Sequence, residues 1–558
     1  MLSAILLLGC GGSSDSTTET SPPAPTTPTT PTTPPPIEEE PVTANQASRL
    51  LAQATFGATT AAIDDVIELG IEPWIDQQIE MEASSHLDYL EILAQDLAED
   101  EELWRNARME AWFNHAIVGQ DQLRQRVAFA LSEILVVSER GALGGETYGL
   151  ANYYDLLVDN AFGNYRDLLE QVTLSPMMGI YLSMLGNEKP DDNRNIRPDE
   201  NYARELMQLF SIGLVQLNID GSPVLVSGNT VPTYDQDIIK AFAHVYTGWN
   251  FNGTTQDNWY WPEFDTLEPM TVVEAYHDKG EKHILNNVVI PANQSAEDDL
   301  NMALDNIFNH DNVGPFLSKQ LIQRLVTSNP SPDYIQRVAQ TFNDNGNGVR
   351  GDLASVVKAI LMDDEARNGH ENNPQTFGKI REPLLKATHL WRAFNATSPN
   401  DRYQFGWPDY FFAQAPLASP SVFNFFSPSF APPGEISELN MVAPELQITT
   451  ESYITRTTNF FAYSALWALK NSDKEEDDED EEKDERILID LEPLIEFSDD
   501  PQALIEHLNT LLFGGTMPTN MQTILIEAFE QTDYLRPYER LSNLLFLIMA
   551  SPQYAVQR

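Results

Sequence analysis

The chain has 558 residues and carries 84 acidic against 33 basic side chains, a formal charge of −51. Nucleic-acid binding needs clustered Lys and Arg, so this balance excludes a nucleic-acid partner and direct docking on anionic lipid headgroups. One cysteine excludes an internal disulfide framework and any multi-cysteine metal site, while 42% hydrophobic residues suffice for a large core.

Residues 2–9 read Leu-Ser-Ala-Ile-Leu-Leu-Leu-Gly, and Cys10 follows. Leu7-Leu8-Gly9-Cys10 resembles the lipobox of bacterial lipoproteins, where the signal peptide is cut before Cys and the thiol is lipidated. A lone cysteine is otherwise a small buried hydrophobe. Here Gly11-Gly12-Ser13-Ser14 offer it no core. We therefore expect a signal peptide over residues 1–9, lipidation of Cys10, and membrane attachment through the lipid anchor only. No Lys or Arg precedes the apolar run, although a secretory signal calls for a basic segment; this is consistent with a start upstream of Met1. Gly11 stands where Asp would retain a lipoprotein in the inner membrane, so the outer membrane is the expected address. No other stretch approaches 18 apolar residues. Residues 10–44 form the Cys10 anchor and a Ser/Thr/Pro-rich linker, too poor in apolar side chains to offset the entropy of ordering. It reads as a disordered tether beneath a globular body at 45–558.

The body is mainly α: a large multi-helix unit with one or two small β-hairpins. Ala47–Ala54 is amphipathic. Thr59 or Thr60 caps a helix over 61–69, and Gly70 stops it. Pro73 opens the next, through Gln78. Apolar spacing predicts long helices within 101–138, then helices at 151–161, 164–172, 199–212, 235–246, 297–309, 313–327, 331–343, 353–363, 379–395, 436–468, 501–513 and 519–549. Asp220-Gly221 marks a hairpin between 215–219 and 224–226. Asp278-Lys279-Gly280 marks a second, between 271–277 and 283–290. Residues 470–486 read as an acidic surface loop; its core, 473–486, holds eleven acids and three bases.

Several stretches occur in a fixed order: Arg49–Gly57 (RLLAQATFG) with Trp74–Gln78; Glu200–Leu214 (ENYARELMQLFSIGL); Tyr234–Ile238 leading to Tyr246-Thr247-Gly248-Trp249; His277–Lys282 (HDKGEK); Gly351-Asp352-Leu353; and Lys379-Ile380-Arg381-Glu382-Pro383. Together they resemble a bacterial family of secreted proteins known only as domain of unknown function 1800. The resemblance implies a mostly helical secreted or envelope protein, often encoded beside a co-exported protein of a sulfatase-like family. The family offers no established catalytic residues to carry over, and it leaves the cofactor unknown.

Candidate chemistry rests on the residues themselves. On the helix at 200–209, Asn201, Arg204, Glu205 and Gln208 share one broad face. They line a cleft, or they form a buried network between helices; both readings stand. His277 and Asp278, with Lys282 and His283, pair imidazole and carboxylate on a turn, which suits proton transfer, while Asp278 equally suits a turn cap. His244 stands one helix upstream of them. Lys282 would repel a cation, and no ligand set is assigned to a metal. The Asn343–Gly348 run faintly resembles a calcium loop, but Ala354 stands where the bidentate Glu belongs. Aromatics at 405–412 and 423–426 read as a sugar platform or as core packing.

The leading expectation is an envelope lipoprotein with a binding or assembly role, working with a co-exported partner. The alternative is a hydrolase acting on an envelope or extracellular polymer. Its catalytic candidates are Glu205, Arg204, His277 and Asp278; Asn201, Lys282 and Trp249 are the ligand-binding candidates.

Overall fold

The computed structural model describes residues 41–98, 100–398, 401–472 and 486–558. The signal peptide, Cys10, nearly all of the tether and most of the acidic loop lie outside the described residues. Among the described residues, 23 α-helices and four two-stranded antiparallel sheets surround one main hydrophobic core.

Local chemistry sets the helix ends. Thr43 caps Ala44–Ala54 and exchanges hydrogen bonds with Gln46, a capping box. Thr59 caps Thr60–Leu69, and Gly70 ends it at a φ of 90°. The next helix, Ile71–Glu80, starts directly from Gly70, two residues before the predicted Pro73. The stretch 101–138 divides into Arg105–Val118 and Gln122–Ser132, separated at Gly119. Residues 133–139 then leave the helix, although every one but Glu139 is buried. Pro383 sits at the first turn of Pro383–Ala393, so 379–382 is not helical. The stretch 436–468 breaks into Glu435–Glu438, Pro444–Gln447 and Glu451–Ser472, and 519–549 breaks into Thr519–Glu530 and Pro537–Met549.

The strands differ from expectation in their partners. Around Asp220-Gly221 the chain turns back through a single bridge, Leu217 to Pro223. The regular pair there is Leu225–Val226 with Asn229–Thr230, turning at Ser227-Gly228. Thr271–Val272 pairs with Trp249–Asn250, not with 283–290. Lys282–His283 pairs with Val289–Ile290. The HDKG turn therefore joins two separate ribbons. The last strand, Val556–Gln557, pairs with Lys379–Ile380.

Most of the aromatic run serves the core. Phe405, Phe411 and Phe412 cluster with Phe460, and Phe405 also meets Phe113 and Trp391 edge-on. Trp407, Tyr410 and Phe423 stay exposed. In the Asn343–Gly348 loop, Asp344 accepts from the Gly346 and Gly348 N–H groups, and Asp352 caps the following helix.

Gly57 is a close-approach position. Its φ is 144°, a Cβ there would meet the His389 Cα at 2.5 Å, and its carbonyl accepts from the Arg392 Nε at 2.7 Å. Gly57→Ala should cost about 2–3 kcal/mol through backbone strain and overpacking. Urea unfolding of the variant beside the parent protein checks this.

Candidate functional site

The predicted residues fall into two groups. Asn201 is exposed, and its N–H donates to Asp199 at 2.8 Å. Arg204 forms a half-exposed pair with Glu200 at 3.0 Å. Glu205 is buried, its Oε2 has no partner, and burial holds its carboxyl above the ordinary range. From Leu206 to Ser211 the helix widens to π geometry, where an α-helix was predicted. Such a change of register is frequent at functional sites.

The second group is a closed knot. The His277 Nδ1 stands 3.0 Å from the Thr247 carbonyl and its Nε2 3.1 Å from Asp299. The Lys282 Nζ donates to the same Asp299 oxygen at 2.6 Å and to the Asp278 and Gly280 carbonyls. Asp278 pairs with His244 and caps the turn through the Gly280 N–H. Burial would raise Asp278, but the His244 hydrogen bond and the Gly280 N–H outweigh it and hold the carboxyl at about 2. Trp249 is buried on its ribbon. Among the described residues, no hydrogen bond or ion pair joins this knot to Glu205 or Arg204. The Gln236–Val245 helix packs against both.

Sequence reasoning missed a third polar centre. The Val313–Leu325 helix ends with free carbonyls and the negative end of its dipole. Two cations answer it: the Arg126 Nη2 and the Lys379 Nζ both donate to the Arg324 carbonyl, at 2.6 and 2.8 Å. Lys379 also faces Glu382 at 3.4 Å and Glu445 at 3.2 Å. The Gln414 amide donates to Glu133 at 3.1 Å and to Glu382 at 2.6 Å. Glu133, Glu382 and Glu445 are all buried. Burial, then the neighbouring Glu382 carboxylate, push Glu133 well above the ordinary range. Burial alone would raise Glu382, but Lys379 and Arg126 outweigh it and hold it low. Glu445 is raised, chiefly by burial.

This centre floors a cavity of about 420 Å³. Glu133, Gln320, Gln323, Arg324 and Asn424 line it, and each carries a buried polar atom without a partner. The Arg324 Nε stands 3.6 Å from the Glu133 Oε2, too far for a hydrogen bond. Apolar walls come from Ile134, Leu209, Ile212, Leu217, Phe316 and Val422. Gln208, on the predicted polar face, also lines it; Glu205 lies one turn before. A signal for Glu133 exists in the sequence: one acid stands inside the apolar run 131–137. Lys379 and Glu382 belong to a motif already singled out.

Because Asp278 is depressed when folded, its stabilisation is present above the ordinary Asp value of 3.8 and is lost as pH falls towards about 2. Asp278→Asn should cost about 1–3 kcal/mol at neutral pH, and the difference from the parent should close on acidification through that window. Chemical unfolding across the pH series reads both.

No curated protein and no solved structure matches the chain. One family model does, described as a protein of unknown function, DUF1800, and it covers residues 49–556. With nearly the whole body matched, the chain belongs to the DUF1800 family.

Proposed function

We propose that this protein is an envelope lipoprotein whose body binds a small ligand in the cavity floored by Glu133 and Arg324. One observation carries the reading. Five lining residues hold buried polar atoms without partners, and each such atom costs free energy until something satisfies it. The cavity volume falls within the ~300–1,000 Å³ of small-molecule sites, and its walls are mostly apolar. The Cys10 lipid holds the body at the outer membrane, and a co-exported partner of the sulfatase-like class works with it. No helix among the described residues is long and apolar enough to cross a membrane.

A hydrolase acting on an envelope or extracellular polymer is the competing reading. Its support is Glu133, a carboxyl kept protonated by burial and by Glu382, as a general acid would be. Turnover abolished by Glu133→Gln, with folding intact, would favour it.

Native mass spectrometry of the full chain should find a small molecule bound. Val422→Trp, which puts an indole into the cavity from its apolar wall, should release it; retention of the same mass in that variant would sink the binding reading. The anchor is tested separately. Cys10→Ser should move the protein from the membrane fraction to the soluble one and remove the mass of the acyl chains.

A further inference from the structure

The acidity of this chain makes the cavity beside Glu133 and Arg324 an electrostatic exception. Acids outnumber bases by more than two to one overall, 84 to 33. Around the cavity the order reverses: Lys319 and Arg324 line it, and Glu133 is the one acid. Glu133 does not neutralise Arg324 by hydrogen bonding. Arg324 instead gives its Nη2 to the Glu133 backbone carbonyl, at 2.9 Å. The Gln414 nitrogen holds the Glu133 and Glu382 carboxyls within its own reach, and two carboxylates so close do not both ionise near neutral pH. Glu382 keeps the charge, facing Lys379. With Glu133 raised, Arg126, Arg324 and Lys379 outnumber Glu382 and Glu445. Lys319 stands exposed at the rim and makes no ion pair among the described residues.

Three of the five unpartnered atoms point to the same chemistry. Arg324 Nε, Gln320 Nε2 and Asn424 Nδ2 are all donors, and none has an acceptor. An anion supplies acceptors to several at once. Beyond them the walls at Leu209, Leu217 and Phe316 are apolar. We propose that the cavity takes an amphiphile with an anionic head group, a carboxylate or a sulfate, seated against Arg324 and Asn424 with its tail along the apolar wall. This rests on the binding reading above and names the ligand class for that site.

The test uses the full chain carrying Cys10→Ser, which needs no detergent, titrated by calorimetry below micellar concentrations. Four ten-carbon probes are compared: decanoate, decyl sulfate, decanol and decyltrimethylammonium. The expected result is binding of one or both anions, with decanol at least tenfold weaker and the cation not bound. The preferred anion then distinguishes a carboxylate from a sulfated source. Lys319→Glu, a rim substitution that leaves the buried centre intact, should weaken the anion several-fold and leave decanol unchanged. Glu133 is faced by Arg126, Arg324, Lys379, Glu382 and Tyr154. Its ionisation adds a negative charge, so anion affinity should fall as pH rises, and Glu133→Gln should remove that fall. Equal binding of decanol and the anions would overturn the anionic head while the binding reading stands. Binding of none of the four would overturn the amphiphile, and the co-purified mass would still judge the binding reading.

Discussion

A charge buried away from water needs close partners, and six charged side chains find theirs beside the Arg324 carbonyl. The six charges come from four separate stretches of chain: Arg126 with Glu133, Arg324, Lys379 with Glu382, and Glu445. Each ion taken from water costs several kcal/mol, and only close partners offset it. The arrangement therefore fixes how the Gln122–Ser132 and Val313–Leu325 helices and the start of Pro383–Ala393 lie against one another. Shape alone would be less restrictive, because apolar cores tolerate substitutions that conserve volume. The free carbonyls at the end of Val313–Leu325 are the anchor around which the cations collect.

The two polar centres differ in what they leave undone. In the knot around His277, Lys282 donates three hydrogen bonds and Asp299 accepts from His277, Lys282 and Gln294. Its capacity is spent on joining the ribbons to the Gln236–Val245 and Ala296–Phe308 helices. In the centre around Arg324, donors and acceptors remain free beside an open volume. A saturated network contributes rigidity, whereas an unsaturated one beside a cavity holds capacity for a ligand. That difference separates the two groups more sharply than residue type does.

Helix ends were legible in the sequence where a side chain or glycine fixes them. Thr59 and Gly70 bound one helix where expected, and Pro501–Phe513 matched to the residue. Legibility failed where tertiary contacts decide. Residues 134–137 are apolar enough to continue a helix, yet the chain turns out of it after Ser132 and comes against 417–419, where the Glu139 N–H donates to the Leu417 carbonyl. The HDKG turn has the composition of a hairpin, but its arms found partners elsewhere. The family motifs drew attention to Lys379 and Glu382 without assigning them chemistry. Glu133 was the harder case, since its partners lie far away in sequence, and no local pattern records them. The polar face at 201–208 was readable, but the π register that carries Gln208 and Leu209 to the cavity was not.

The strand Val556–Gln557 fastens the charged centre from a distant part of the sequence. Val556–Gln557 holds Lys379–Ile380 in place, the Gln557 side chain donates to the Leu325 carbonyl at 2.7 Å, and the Arg381 N–H donates to Ala555. These contacts seal the end of the helix on which the cations converge. Val556–Gln557 thus acts as a latch: a cut between Tyr554 and Val556 would spare every described helix yet release the strand that positions Lys379.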